Sequence, residues 1–369
     1  MHIVKITLSN FRSFLTYEVS FDKDLNVIVA PNGSGKSNLL EAIGILGTGS
    51  SVRAGKVTES IRWGQDVARV EAVLSDNTRI GISITPTKKY FFVNNTDVSF
   101  AQYLQHLSVV YFQPHDLRLV SGGPHNRRLF MDRTLATIDP TYLHIRQEFM
   151  SNLAQRNALL KDTRSKSALF DTFEQVLSVR MVDVITMRWG FISRMNTALL
   201  PHGIFLEYKP SPSVLRELLP KITADIPHEL PHDVAGKMRE IVRRKLRDLR
   251  EKEQRLGFSL IGPQRDEVSI FINDPVSPRG KKDVLVYGSR GQQRITVITL
   301  LLKTADIIEH SRGVRPLLLL DDVFSELDGD NRTLLLSSLS KQQTFITAPD
   351  ESEVSMLSIP PNARIQIYS

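Results

Sequence analysis

The stretch "APNGSGKS" (residues 30–37) sets two glycines, a lysine and a serine at the spacing of a phosphate-binding loop. Gly33 and Gly35 let backbone N–H groups come close to phosphate oxygens that a Cβ would hold off. Lys36 would neutralise the β/γ-phosphates of a nucleotide, and the Ser37 hydroxyl would hold Mg²⁺. Ala30 stands where the pattern has its first glycine. Alanine is small, and this position need not approach phosphate as closely as the later ones, so the substitution is expected to be tolerated. Far downstream, "LLLLDDVFSELD" (317–328) ends an apolar run in two adjacent carboxylates. A core strand closing in a turn accounts for four leucines. It does not account for paired aspartates at a carboxyl edge, where ligands of parallel sheets bind. Asp321 would hold Mg²⁺ through water, and Asp322 would polarise the attacking water. Loop and diacid together point to nucleotide hydrolysis.

These residues need strands and helices to position them. "LNVIVA" supplies a strand before the loop, and "SNLLEAIGIL" a helix after it, whose positive N-terminus adds to the anion site. The first hundred residues or so read mainly as strands, with alternation at 3–8 and short runs at 17–22, 25–30, 67–74 and 78–85. Asn94-Asn95 suits a hairpin turn, since asparagine tolerates positive φ. "LSVVYFQP" (107–114) reads as a further buried strand. From about residue 124 the period becomes helical, prolines punctuate 201–231, and a basic amphipathic helix spans about 233–256. Val234, Met238, Val242, Leu246 and Leu249 form its apolar face. Arg239, Arg243, Arg244, Lys245, Arg247, Arg250, Lys252 and Arg255 dominate the rest, which is either a solvated face or a phosphate-contacting one. Strands resume after 258, then a long helix and the buried diacid strand. The expected fold is α/β: a P-loop head in two parts, 1–122 and 258–369, with a mostly helical lobe, 123–257, inserted between them.

Composition limits the alternatives. The chain has 369 residues, 41% of them apolar, a formal charge of +7 and no cysteine. A disulfide framework and a cysteine zinc site are excluded, and a reducing compartment suits the chain. No run approaches ~18 apolar residues, and the N-terminus lacks a signal pattern, so a cytoplasmic protein without membrane association is expected. The positive excess permits an anionic partner without requiring one.

"YGSRGQQR" (287–294) lies directly before the helix leading into the diacid strand. Ser289, Gly291 and Gln292 reproduce the S-x-G-Q core of the ATP-binding-cassette signature, where a hydroxyl, a glycine amide and a helix N-terminus converge on an anion. The same residues alone would also make a helix cap. "ITLSNFRSF" (6–14) resembles the opening of chromosome-maintenance ATPase heads. No heptad pattern persists long enough for their coiled-coil arms, and the chain is similar to the armless RecF family of recombination mediators. Segments 109–132, 153–161, 260–267, 288–294 and 317–328 carry that resemblance, with Gly123-Pro124 and the paired Arg127-Arg128 among them. Residues 162–255 carry least of it.

The resemblance implies an ABC-type ATPase head with an antiparallel β subdomain. Its nucleotide contacts would be Arg12, Ala30, Pro31, Asn32, Gly33, Ser34, Gly35, Lys36, Ser37 and Asn38, with Ser289, Gly291 and Gln292 offered to a second subunit. Gln113 is placed like the cassette glutamine that senses Mg²⁺ and the lytic water, or is an ordinary strand-end residue. ATP and Mg²⁺ would be the cofactors. ATP would join a homodimer that clamps duplex or gapped DNA, and slow, DNA-stimulated hydrolysis would release it. RecR- and RecO-type partners, RecA loading, gap repair, replication restart and the DNA-damage (SOS) response belong to the same expectation. This chain departs from the family at Ala30, at Gln264 and Glu267 of "GPQRDE", at Pro114-His115-Asp116, and at "FITAPD" (345–350), which lacks the γ-phosphate histidine of many cassette ATPases.

Other readings compete. A transporter's ATPase subunit does not suit the N-terminal "SNFRSF" or the long interval between loop and signature. An ATP-dependent nuclease would need an acidic metal-binding domain after Asp328, and a purely structural chromatin protein would not need Asp322. His228 and His232 are separated by prolines that disfavour a helical metal face. Trp63 and Trp189 read as packing residues.

Overall fold

The computed structural model describes residues 1–31, 33–51, 57–162, 167–219, 232–323, 335, 339–350 and 365–368. Alternation at the N-terminus becomes β1 (Ile3–Phe11), whose Ile3, Ile6, Leu8 and Phe11 are fully buried. It pairs antiparallel with β2 (Phe14–Ser20) on one side. β3 (Leu25–Val29) is buried along its length and feeds the glycine loop, from which α1 (Lys36–Thr48) rises. β4 (Ala68–Leu74), β5 (Arg79–Ile84), β6 (Lys89–Val93) and β7 (Thr96–Val98) extend the antiparallel sheet in the order β2-β1-β4-β5-β6-β7. Asn94 and Asn95 turn β6 into β7 with φ of +50° and +64°, as the dipeptide implied. A short helix, α2 (Phe100–Tyr103), precedes β8 (Val109–Phe112).

A second compact unit runs from Arg118 to Gln293. It holds α3 (Arg118–Ser121), α4 (Pro124–Ile138), α5 (Pro140–Lys161) and α6 (Ser167–Leu199). β9 (Ile204–Lys209), α7 (His232–Leu256), β10 (Glu267–Asn273), β11 (Lys281–Asp283) and α8 (Val284–Tyr287) follow. The boundaries differ from the expected ones. Residues 258–293 belong with the helical unit, because β10 pairs with β9 from the proline-punctuated stretch and with β11. Single-strand reasoning placed them with the ATPase core; the pairing partner decides otherwise.

Buried charge holds this unit together. The Arg188 guanidinium, 3% exposed, bonds Asp132 and Asp266 at 2.8 Å each. Burial pushes the Asp266 carboxyl up to about 6 against the pull of Arg188 and Tyr208. Burial also works to raise Asp132, but Arg188 and Arg146 outweigh it and hold that carboxyl below its ordinary range. Arg156 sits between Glu174 and Glu253 at 2.9 and 2.7 Å, all three fully buried. Removing one partner from such a cluster leaves a buried charge uncompensated, a loss of about 3–5 kcal/mol. α7 turns Met238, Val242 and Leu246 inward as its periodicity implied. Arg239 and Arg250 of this helix bond acidic residues of α6, while Arg243, Arg244 and Arg247 are exposed.

α9 (Arg290–Arg312) leads back into the first unit, which comprises Met1–Leu117 and Arg294–Ser369. There β12 (Leu317–Leu320), β13 (Thr344–Ala348) and β14 (Ile365–Tyr368) join β3 and β8 in a five-stranded parallel sheet, β14-β3-β13-β12-β8. α1 packs with residues of both sheets in one core: Leu39, Leu40, Ile43 and Leu46 meet Ile6, Leu8 and Val70 on one hand and Tyr111, Leu319 and Phe345 on the other. Burial all round its axis seats the N-terminus of α1 rigidly at the sheet edge. Trp189 is a packing residue, 2% exposed; Trp63, expected to be one, is 99% exposed.

Candidate nucleotide site

Parallel pairing gathers the carboxyl ends of four strands at one edge. Val29 of β3 lies opposite Ala348 of β13, Ile346 of β13 opposite Leu320 of β12, and Leu320 opposite Phe112 of β8. The residues that leave those strands, Ala30, Asp321 and Gln113, therefore emerge side by side, at the edge where such sheets bind ligands.

The loop after β3 has the backbone its glycines allow. Gly33 and Gly35 take φ of +86° and +106°. A Cβ on Gly35 would also meet Ser13 Oγ at 3.2 Å and the Phe14 ring at 3.3 Å. Ala30 does not take positive φ, so alanine fits there without strain. Pro31, Gly33 and Ser34 are exposed, and Asn32 lies outside the described residues. Gly35 caps α1, whose first N–H groups have no intrahelical acceptor and form the anion-binding end of the helix. Lys36 is 6% exposed and its Nζ donates to the carbonyls of Ala30 and, at 3.1 Å, Pro31. Its cation is thus held over the loop that would receive phosphate.

Ser37 and Asp321, 284 residues apart, meet directly: Ser37 Oγ donates to Asp321 Oδ1 at 2.9 Å. Hydroxyl and carboxylate form a hard oxygen pair of the kind Mg²⁺ takes beside phosphates. Asp321 is 5% exposed and also accepts from Tyr111 Oη at 3.2 Å and Thr347 Oγ1 at 2.9 Å. Asp322 has φ +49°, a left-handed conformation uncommon for a residue with a side chain. Its backbone N–H donates to Thr347 Oγ1 at 2.9 Å. Thr347 therefore ties both aspartates to the neighbouring strand with one hydroxyl. Sequence reasoning noted the missing histidine in "FITAPD" and overlooked this threonine. Its signal in the sequence is a polar β-branched residue one position before the end of β13, a strand that also begins with a threonine.

The remaining expected residues divide between the units. Gln113 is 8% exposed, next to Asp321 across the β8–β12 pair, and its backbone N–H donates to Asp116 at 2.8 Å. Arg12, with φ +52°, makes two hydrogen bonds to buried Glu41 of α1, at 3.0 and 2.8 Å. Asn38 Nδ2 donates to Ser13 Oγ at 3.0 Å. These bonds bind the β1–β2 tip to the first turns of α1. In the second unit, Ser289 begins α9 with a reciprocal cap: Gln292 N–H donates to Ser289 Oγ at 3.2 Å, and Ser289 N–H to Gln292 Oε1 at 3.0 Å. Ser289 is exposed, and Gly291 lies within that first turn. The cap reading is thus realised, and it presents an exposed hydroxyl at a helix N-terminus. His228 lies outside the described residues.

The phosphate loop, the diacid strand and the paired sheets define an ATPase head of the ATP-binding-cassette type. The family profile described as the RecF/RecN/SMC N terminal domain matches residues 2–357. A protein of Oceanobacillus iheyensis named "DNA replication and repair protein RecF" is 34% identical over 363 residues, covering 94% of this chain and 93% of its own length. The Bacillus subtilis protein of the same name is 33% identical over 356 residues, covering 94% and 93%. A solved structure of the recombination mediator RecF with ATP, described as part of the RecFOR pathway, superposes with a TM-score of 0.81 at 27% identity, over 96% of this chain and 94% of that one. The chain belongs to the RecF family, within the RecF/RecN/SMC group of ATPase heads.

Proposed function

We propose that this chain is an ATP-dependent recombination mediator that works as a switch on DNA. The observation that carries the reading is the 2.9 Å contact between Ser37 and Asp321, which joins the phosphate loop to the diacid strand. The names of the relatives, RecF proteins of DNA replication and repair, and the ATP-containing RecF structure support it.

Loop residues 30–38 bind the phosphates, with Lys36 offsetting their charge. Ser37 and Asp321 would hold Mg²⁺, which would supply positive charge to offset that of the phosphates. Asp322 accepts the proton of the attacking water, and Gln113, next to Asp321 across the β8–β12 pair, is the second candidate to contact that water. Ser289, Gly291 and Gln292 complete the site of a second subunit, so that ATP contributes the dimer contact and hydrolysis removes it. The dimer holds duplex DNA at single-strand junctions, where RecR- and RecO-type partners join it to load RecA during gap repair and replication restart. DNA accelerates an otherwise slow hydrolysis. No helix among the described residues is long and apolar enough to cross a membrane.

Molar mass in solution tests this. ATP should double the mass of the native chain, transiently. Asp322→Asn should stay doubled with ATP while hydrolysing about 10²–10⁴-fold more slowly, because an amide cannot accept the proton. Asp322→Asn saturated with ATP yet monomeric would refute the switch.

A further inference from the structure

A buried tyrosine touches the diacid, and the proposed hydrolysis gives it no role. Tyr111 lies on β8 opposite Leu319 of β12. Asp321 is one step past the end of β12, still in the ladder through its backbone N–H, which donates to Phe112 O at 2.9 Å. Residues two apart on a strand share a face, so Asp321 projects on the side of Leu319 and of Tyr111. The phenol reaches across the strand pair, and Tyr111 Oη donates to Asp321 Oδ2 at 3.2 Å.

The helix that carries Ser37 leaves room for this ring. Gly44 lies in the interior of α1, where glycine weakens a helix. A Cβ there would stand 3.2 Å from Tyr111 Cδ1 and 3.6 Å from Leu319 Cδ1, so glycine lets the ring lie against the helix backbone. A phenylalanine would fill the same space; the hydroxyl is what reaches the carboxylate.

Asp321 is held from three elements. Its Oδ1 accepts from Ser37 Oγ of α1 and from Thr347 Oγ1 of β13, each at 2.9 Å. β13 and β8 flank β12 on opposite sides. The two bonds to Oδ1 fix one oxygen and leave the carboxylate able to swing about it. The Tyr111 bond fixes the other oxygen, and with it the plane of the group. A carboxylate offers about four acceptor positions. The donors found among the described residues leave one of them, on Oδ2, and Tyr111 sets its direction.

We infer that Tyr111 is a positioning residue of this site, aiming the remaining acceptor position of Asp321 at the water shell of a divalent cation and so favouring Mg²⁺ over Ca²⁺. The inference rests on the nucleotide reading above, in which Ser37 and Asp321 hold the cation. Mg²⁺ keeps several waters and demands near-ideal octahedral geometry, whereas Ca²⁺ takes more oxygens in flexible arrangements. A carboxylate of fixed plane suits the first. One that swings suits the second as well.

Calorimetry of ATP binding to the full chain tests this, in chelator, in excess Mg²⁺ and in excess Ca²⁺. The quantity read is the gain in ATP affinity that each metal gives over chelator. Tyr111→Phe keeps the ring, so it should bind metal-free ATP as the native chain does. Its Mg²⁺ gain should fall about tenfold, as when a hydrogen-bond partner of a metal-binding carboxylate is removed. Its Ca²⁺ gain should stay within about threefold of the native value. A native Mg²⁺ gain in Tyr111→Phe overturns the inference. Weaker ATP binding in chelator overturns it too, marking a packing role, and so does an equal loss with both metals. Ser37→Ala checks the reading beneath. If Mg²⁺ gives Ser37→Ala the native gain, or gives the native chain none, the cation assignment falls and this inference with it. If Ser37→Ala loses the gain while Tyr111→Phe keeps it, the assignment stands and the inference alone is overturned.

Discussion

Thr347→Val is the substitution that separates the geometry of this site from its composition. Valine keeps the shape of threonine, and position 347 is 2% exposed, so packing is preserved while the hydroxyl is lost. Two close hydrogen bonds go with it, and a longer one to Asp322 Oδ1 at 3.5 Å. The bond to the Asp321 carboxylate is charge-assisted, about 1.5–3 kcal/mol, and the Asp322 N–H is left without its acceptor, a further 1–3 kcal/mol. Asp321 keeps Ser37 and Tyr111, so the larger consequence falls on Asp322, whose left-handed backbone loses its anchor. Relaxation that displaces a reacting carboxylate by about 1 Å reduces turnover by about 10²-fold. That is ~2.7 kcal/mol of barrier, comparable with the anchor removed. The loop residues proposed to hold phosphate are untouched, so ATP affinity should remain within about threefold, or ~0.7 kcal/mol. Single-turnover phosphate release at saturating ATP and Mg²⁺, beside calorimetric ATP binding, reads both quantities. Thr347→Ser restores donor and acceptor and should return most of the rate. Native turnover in the valine variant, or a serine variant as slow as the valine one, would refute the reasoning.

Completion of the site by a second subunit predicts complementation. Ser289→Arg and Lys36→Ala should each be inactive alone, and their mixture should regain part of the ATPase activity through one intact composite site. No recovery, with mixed dimers shown to form, would count against completion in trans. DNA affinity should depend on salt and on ATP: with about five phosphates neutralised, log K falls against log salt with a slope near −4 to −5. Arg243→Ala, Arg244→Ala and Lys245→Ala combined should flatten that slope and leave ATP affinity intact if α7 touches phosphate. An unchanged slope would return α7 to a solvated face.

Much of this protein could be read along the chain. The phosphate loop, the diacid strand, the Asn94-Asn95 hairpin and the buried face of α7 are local patterns. Their physical causes act over a few residues: glycine at positive φ, apolar period, asparagine in a turn. The loop and the diacid stand out for a further reason, since the phosphate and metal chemistry proposed for them tolerates few residue types at few spacings. Ala30 keeps its backbone in the ordinary region that alanine accepts.

What the chain pattern did not contain was partnership. Residues 258–293 were assigned to the wrong neighbour because a strand's apolar run does not name the strand it pairs with, and β9 lay hidden among prolines. The segments that carried the family resemblance, such as Arg127-Arg128 and "LIGPQRDE", prove to include buried charges. Arg127 holds Glu267, and Asp266 holds Arg188. No single segment shows that its charge will be buried, because burial is a property of the whole unit. Thr347 became part of the site only when β13 was laid beside β12, and Ser37 met Asp321, 284 positions away, only when the chain between them folded. Trp63 shows the converse: an aromatic residue reads as core by its type, yet here the turn that holds it faces outward. Local chemistry follows from residue type and spacing; which groups face one another follows from strand pairing and burial, and these are decided by the tertiary fold.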